Sequence, residues 1–253
     1  VIAETVAHRI AVFSGKGGVG KTTVAVNLAC LLAQESRHVG LLDADITGPN
    51  VLQMMGIDET PTMRDGKLVP HQGHGTEVVS LASLMPPDAA VIWRGPMRSK
   101  ALEQLLDDTD WAALDTLVMD LPPGTGDEAL TIAKHVSPQL AIIVTTPQEV
   151  ALLDARRAIS FARKLKIPHI AIVENMGAMV CPTCGHSFDL FGDGGGRREA
   201  EAQQIAFLGA IPIDPAARRS GDEGTPIALA APESAVGAAL QTVAARTTEL
   251  LSA

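Results

Sequence analysis

Residues 15–22 read GKGGVGKT, which fits G-x-x-x-x-G-K-[ST], and they stand between a short apolar run and a helical pattern. No other feature restricts the fold as tightly. Such a loop works only where a strand ends and a helix begins, because its backbone N–H groups must converge on phosphate oxygens beside the positive end of the helix. The rest of the chain repeats the same unit. Apolar runs at 9–13, 39–43, 77–81, 116–120, 140–145, 169–173 and 207–211 alternate with helical stretches at 21–34, 99–106, 127–135, 150–165, 197–206 and 235–251. This alternation predicts an α/β fold, a mostly parallel central sheet flanked by helices. With 253 residues, 46% of them hydrophobic, the chain has apolar material for one large core, so 1–253 reads as a single domain. Asp65 and Gly66, between two short extended segments, predict a hairpin excursion.

Within the loop, Gly15, Gly17, Gly18 and Gly20 let the backbone close on phosphate around Val19, and Thr23 continues the nucleotide site into the helix. Lys21 is placed to reach the β- and γ-phosphates, and the Thr22 hydroxyl to ligate Mg²⁺. Lys16 is a second cation in a loop that has few uses for one except further phosphate contact. The variant K-G-G-x-G-K-T resembles the deviant P-loop, a variant Walker A, of the ParA/MinD and nitrogenase iron-protein class of P-loop NTPases. That resemblance implies that Lys16 crosses a dimer interface to the partner's nucleotide, with two subunits closing face to face over two ATP molecules.

Acidic residues mark the ends of other strands. Asp43 and Asp45 end the second apolar run, where loops of an open α/β sheet meet a ligand. Asp45, on the loop side, is placed to orient an attacking water. Asp120 ends another run ahead of Leu121 and Pro122, the usual place for a carboxylate that holds the water shell of Mg²⁺. For Asp127 the spacing of Thr125 and Glu128 predicts a capping box at a helix start. Asn175 follows the run that ends at 173 and is expected to offer both amide groups to a purine edge. The guanine-selecting Asn-Lys-x-Asp pattern is absent there, so ATP is the expected nucleotide.

Composition removes several functional classes. The net charge is −9 and the pI about 5.2, with no basic stretch longer than Arg197 and Arg198, which argues against a nucleic-acid partner. No apolar run approaches the roughly 18 residues of a membrane span, and without a charged-then-apolar segment at the start of the sequence secretion is not expected. The expected address is the cytoplasm. Val1 in place of Met reads as a trimmed N-terminus. Three cysteines do not make a disulfide framework, and two of them form a C-x-x-C pair, Cys181 and Cys184. Two thiolates are half of a four-coordinate site, and a two-fold axis would bring four together for Zn²⁺ or an iron–sulfur cluster. Spacing alone does not choose between these metals. A redox pair is the plainer reading, without a thioredoxin-like context to support it. Cys30, in the helix after the loop, reads as a small core residue.

The full pattern resembles the Mrp/ApbC family of iron–sulfur cluster carrier ATPases. The blocks that carry the resemblance are SGKGGVGKTT at 14–23, LLDADITGPN at 41–50, IWRGPM at 92–97 and DLPPGTGDEALTIA at 120–133. They continue with VENMGAMVCPTCG at 173–185, FGDGGG at 191–196 and IPIDPAARRSGDEGTPIA at 211–228. The resemblance implies an ATP-binding homodimer that holds a bridging [4Fe–4S] cluster on Cys181 and Cys184 of both chains and passes it to apo-proteins. It also places Lys16, Lys21, Thr22, Asp45 and Asp120 in the nucleotide site, with Mg²⁺ held through Thr22 and Asp120. Asn50 departs from the Ser that the family more often has there. The small extra domain that many bacterial members carry ahead of the core is expected to be absent or removed. Two other classes share parts of this pattern. A positioning ATPase of the ParA/MinD kind would want a basic DNA face or a basic amphipathic tail, whereas 235–253 holds one basic residue, Arg246. A zinc-stabilised nucleotide switch would be separated from a cluster carrier by metal analysis.

Overall fold

Alternate residues of each central strand go to opposite faces of one sheet, and that single fact builds both halves of the core. The computed structural model describes residues 5–35, 37–45, 48–81, 95–181 and 184–252. Residues 46–47, 92–94 and 182–183 of the blocks quoted above lie outside the described residues. In chain order the elements are β1 (His8–Phe13), α1 (Lys21–Gln34), β2 (Val39–Asp43), α2 (Val51–Met54), β3 (Thr62–Arg64), β4 (Lys67–Val69), β5 (His71–Gly73), β6 (Thr76–Ser80), α3 (Gly95–Asp107) and β7 (Thr116–Asp120). They continue with α4 (Asp127–Val136), β8 (Leu140–Thr145), α5 (Glu149–Lys164), β9 (His169–Glu174), β10 (Met179–Val180), β11 (Ser187–Phe188), α6 (Gly195–Gln203), β12 (Ala206–Ala210), α7 (Pro215–Asp222), α8 (Ile227–Ala230) and α9 (Ala235–Leu251).

Eight strands form one sheet in the order β12-β9-β8-β1-β7-β2-β6-β5, parallel throughout except for β5, which pairs antiparallel with β6. Ile10 and Val12 of β1 pack on the face covered by α1 and α9, while Ala11 and Phe13 pack on the other face with Leu102 of α3 and Ile159 of α5. Helix α1 is buried over most of its surface, since α8 and α9 pack against it as well as the sheet. Cys30 lies there, fully enclosed with its thiol pushed up to about 12 by burial, as expected of a core residue.

Because the central strands are parallel, the loops that follow β1, β2, β7 and β9 all emerge at one edge of the sheet. The expected hairpin forms between β3 and β4, with Asp65 and Gly66 both at positive φ (51° and 81°) as a two-residue turn requires. The capping box at 125–128 does not form. Helix α4 starts at Asp127 with Gly126 as its N-cap, one residue too late for Thr125 to reach the N–H groups of the first turn.

Candidate functional site

Helix α1 begins without a side-chain cap. Its N-cap is Gly20 in the left-handed region (φ 82°), and Gly18 two residues earlier is left-handed too (φ 80°). The first-turn N–H groups are therefore left to a ligand, which suits an anion at the positive helix end. A Cβ added at Gly17 or Gly18 would meet open space, whereas one at Gly15 would lie 2.3 Å from the Asp154 backbone of α5. The outer glycines clear room for phosphate, and Gly15 lets the loop seat on its neighbouring helix. The loop opens into a cleft of about 490 Å³ whose other walls include Asp45, Asn50, Gln53, Pro123 and Arg218.

The electrostatic centre of the cleft is buried. Lys21 Nζ lies 2.6 Å from Asp120 Oδ1, and the Thr22 hydroxyl donates to Asp120 Oδ2 at 2.7 Å. Asp43 and Asp120 are register partners on β2 and β7. Burial, and then the charge of Asp120, push Asp43 up to about 7, against hydrogen bonds from the Asp45 N–H, the Ser80 hydroxyl and the Val51 N–H. Burial likewise raises Asp120, although Lys21 and Thr22 pull it down. The Asp120 carboxylate, shared by Lys21 and Thr22 and repelled by Asp43 on the next strand, would suit the water shell of a divalent cation, which would offset that charge and free Lys21 for phosphate. Asp43, although noted as a strand-end acid, was not assigned to the site from sequence, because nothing local shows that β2 and β7 are neighbours.

Asp45 lines the cleft, with Oδ1 accepting from the Gly48 N–H at 3.3 Å. Asn50 also faces it and donates to the Gly48 carbonyl at 2.8 Å. Lys16 is half-buried and has no ion-pair partner among the described residues, nor does it line the cleft of its own chain. Asn175 lies against the phosphate loop, where its Nδ2 donates to the Val19 carbonyl at 2.8 Å and so braces the loop. The cleft also contains α7 residues that sequence reasoning passed over. Arg218 pairs with Asp222 at 2.5 Å, and the Gln53 side chain donates to the Asp222 carbonyl at 3.1 Å, which ties α2 to α7 across the opening. The i,i+4 spacing of Arg218 and Asp222 was the one signal for them.

The cysteine pair sits on an excursion that leaves the sheet after β9. β10 and β11 pair as a short hairpin, and inside it the Cys181 N–H donates to His186 O while the Gly185 N–H donates to Cys181 O, both at 2.9 Å. Cys181 is half-buried, Cys184 is exposed, and both are thiols. The apolar side chains of Val180, Phe188 and Leu190 around them are exposed as well. Among the described residues no group of three or more His, Cys, Asp or Glu is placed to hold a metal.

Comparison with known proteins follows the same lines. Residues 5–248 match the ParA-type family described as NUBPL iron-transfer P-loop NTPase. An iron–sulfur cluster carrier protein from Pyrococcus horikoshii is 49% identical over 234 residues, covering 88% of this chain and 79% of that one. Its namesake from Escherichia coli is 47% identical over 227 residues, 89% of this chain and 62% of the longer relative. Among solved structures, a nucleotide-binding protein from Archaeoglobus fulgidus in complex with ADP superposes with a TM-score of 0.77 at 37% identity, covering 87% of this chain and 88% of that chain. The cell-division ATPase MinD of Pyrococcus furiosus shares the fold, with a TM-score of 0.71 at 23% identity over 97% of this chain and all of that one. A phosphate loop, its carboxylates and a thiol hairpin at one sheet edge, in a chain matched almost from end to end, place this protein in the family of iron-transfer P-loop NTPases.

Proposed function

We propose that this chain is an ATP-hydrolysing iron–sulfur cluster carrier that works as a homodimer in the cytoplasm, its residues 1–253 acting as one domain. The observation that carries the reading is the pairing of a phosphate-loop cleft with an accessible two-thiol hairpin on the same edge of one sheet. Mg-ATP occupies the cleft, with Lys21 on the β- and γ-phosphates, Thr22 on the metal and Asp120 on its water shell. Asp45 orients the attacking water. Lys16 serves the nucleotide of the partner subunit, which fits a half-buried cation with no ion-pair partner among the described residues of its own chain.

The cargo is a [4Fe–4S] cluster held by Cys181 and Cys184 of both copies and passed to apo iron–sulfur proteins. One chain supplies two thiols and the cluster takes four, so a second copy completes the site. The exposed Val180, Phe188 and Leu190 support this, since apolar surface beside the thiols suits burial against a second hairpin. The name borne by the Pyrococcus and Escherichia relatives supports the carrier role.

The test is anaerobic reconstitution with iron and sulfide. About four irons per dimer are expected, lost in Cys181→Ala or Cys184→Ala and kept in Cys30→Ala, with nucleotide binding surviving in all three. A dimer that instead holds one tight zinc and no iron overturns the reading.

A further inference from the structure

β9 ends at Glu174 and Asn175 follows it, two consecutive buried polar side chains that grip two different loops. Glu174 is fully enclosed, and its carboxylate accepts the N–H groups of Gly194 at 3.1 Å and Gly196 at 2.5 Å. Those glycines are where the cysteine excursion returns to the sheet at the start of α6. Asn175 donates from Nδ2 to Val19 O inside the phosphate loop, and its backbone N–H is held by Thr145 O at 2.7 Å. Both grips are tight. A Cβ on Gly20 would lie 2.1 Å from Asn175 Nδ2, and one on Gly196 would lie 3.0 Å from Glu174 Cβ. Met176 then turns the chain through a left-handed conformation (φ 58°), and the Gly177 N–H is caught by Ile211 O at 3.0 Å. The thiol excursion therefore begins two residues after Glu174 and ends on its carboxylate.

We propose that Glu174 is a positioning residue for the thiol pair, and that with Asn175 it transmits occupancy of the phosphate loop to Cys181 and Cys184. The proposal rests on the nucleotide-binding reading of the cleft and supplies its link to the thiols. Phosphate draws the loop N–H groups inward and turns the Val19 peptide. Asn175 follows, because a buried amide that loses its acceptor pays the full desolvation cost. A close-packed strand end does not absorb such a shift gradually, so the grip of Glu174 on Gly194 and Gly196 changes with it. The hairpin between those anchors then presents its thiols differently.

The experiment uses the full-length, metal-free, reduced protein. Iodoacetamide alkylation of Cys181 and Cys184 is followed by peptide mass spectrometry with and without saturating Mg-ADP or a non-hydrolysable Mg-ATP analogue. Buried Cys30 is the internal control. At least one nucleotide should change the rates by about fivefold or more, the low end of typical coupling between sites. Glu174→Gln keeps the shape but turns one acceptor into a donor facing a backbone N–H. In that variant, with nucleotide affinity retained, the ratio should fall towards one. A Glu174 that only held the fold together would change the rates with and without nucleotide alike and leave the ratio intact. That outcome, or wild-type rates indifferent to both nucleotides at saturation, overturns the proposal. Should Glu174→Gln not fold, hydrogen exchange of the wild-type peptide spanning 189–200 decides: a nucleotide-dependent rate supports the clasp, and an unchanged rate sinks it. No iron enters the measurement, so failure of the cluster reading is a separate result, and a protein that binds no nucleotide fails the cleft reading instead.

Discussion

Lys21 Nζ and Asp120 Oδ1 lie 2.6 Å apart, with both side chains almost sealed from water. In this arrangement the lysine of the phosphate loop is neutralised by the carboxylate at the end of β7. On the function proposed above, Mg-nucleotide would separate the two, giving Lys21 a phosphate and Asp120 the metal's water shell in exchange.

The first prediction concerns that pair. Removing one partner of a buried ion pair costs about 3–5 kcal/mol, because the other charge stays buried alone. Lys21→Ala should therefore melt at a clearly lower temperature and lose most affinity for mant-labelled Mg-nucleotide. The double variant Lys21→Ala, Asp120→Asn should recover much of the stability and none of the affinity. A single variant as stable as the wild type would contradict the geometry.

The second concerns pH. Asp43 is raised from 3.8 to about 7 by burial and by Asp120. Between those values the folded state holds a proton that the unfolded state has released. Its contribution to stability is therefore full below about 4 and lost as pH rises through about 7. Asp43→Asn removes that titration. Urea unfolding at pH 5 and pH 8 without Mg²⁺ should show the wild type losing stability relative to the variant as pH rises. Parallel pH profiles would refute it.

The third concerns Lys16. Lys16→Ala should bind nucleotide nearly normally yet hydrolyse it far more slowly. A cation supplied in trans to phosphoryl transfer is worth about 10³–10⁵ in rate, which sets the scale. Mixing it with Asp45→Asn chains should restore part of the turnover, since one site of each mixed dimer escapes both defects. Verified mixed dimers with no gain would rule out the trans role.

The fourth concerns the seat of the loop. A Cβ at Gly15 would fall 2.3 Å from the carbonyl carbon and oxygen of Asp154, so α5 has to move. Gly15→Ala should cost about 1–3 kcal/mol, the usual range for overpacking, and should weaken nucleotide binding by disturbing the loop. Thermal melts and nucleotide titration measure both, and a variant unchanged in the two would show that the contact has slack.

Most of the central strands and long helices were legible in the sequence because each has a local cause. The unbroken apolar run of Ile10 to Phe13 states a strand with two buried faces, and GKGGVGKT states a strand, a phosphate turn and a helix. Even the Asp65–Gly66 hairpin is a two-residue rule. Short elements were harder to read. β5, β10 and α8 are too brief to show a period, and the start of α7 is marked by Asp214 ahead of Pro215, where the Asp214 side chain accepts the Ala216 N–H.

What only the tertiary structure decided is which strand ends are neighbours. Asp43 meets Asp120 because β2 pairs with β7, and Asn175 reaches Val19, 156 residues away, because β9 ends at the same edge of the sheet as β1. Arg218 enters the cleft because α7 packs across from α2. A motif needs only its neighbours along the chain, so the sequence by itself determined the phosphate loop and the thiol pair. Strand order is a property of how all the helices cover the sheet at once, and it therefore took the folded chain to set Asp120 beside both Lys21 and Asp43 and to join the phosphate loop to the base of the thiol hairpin.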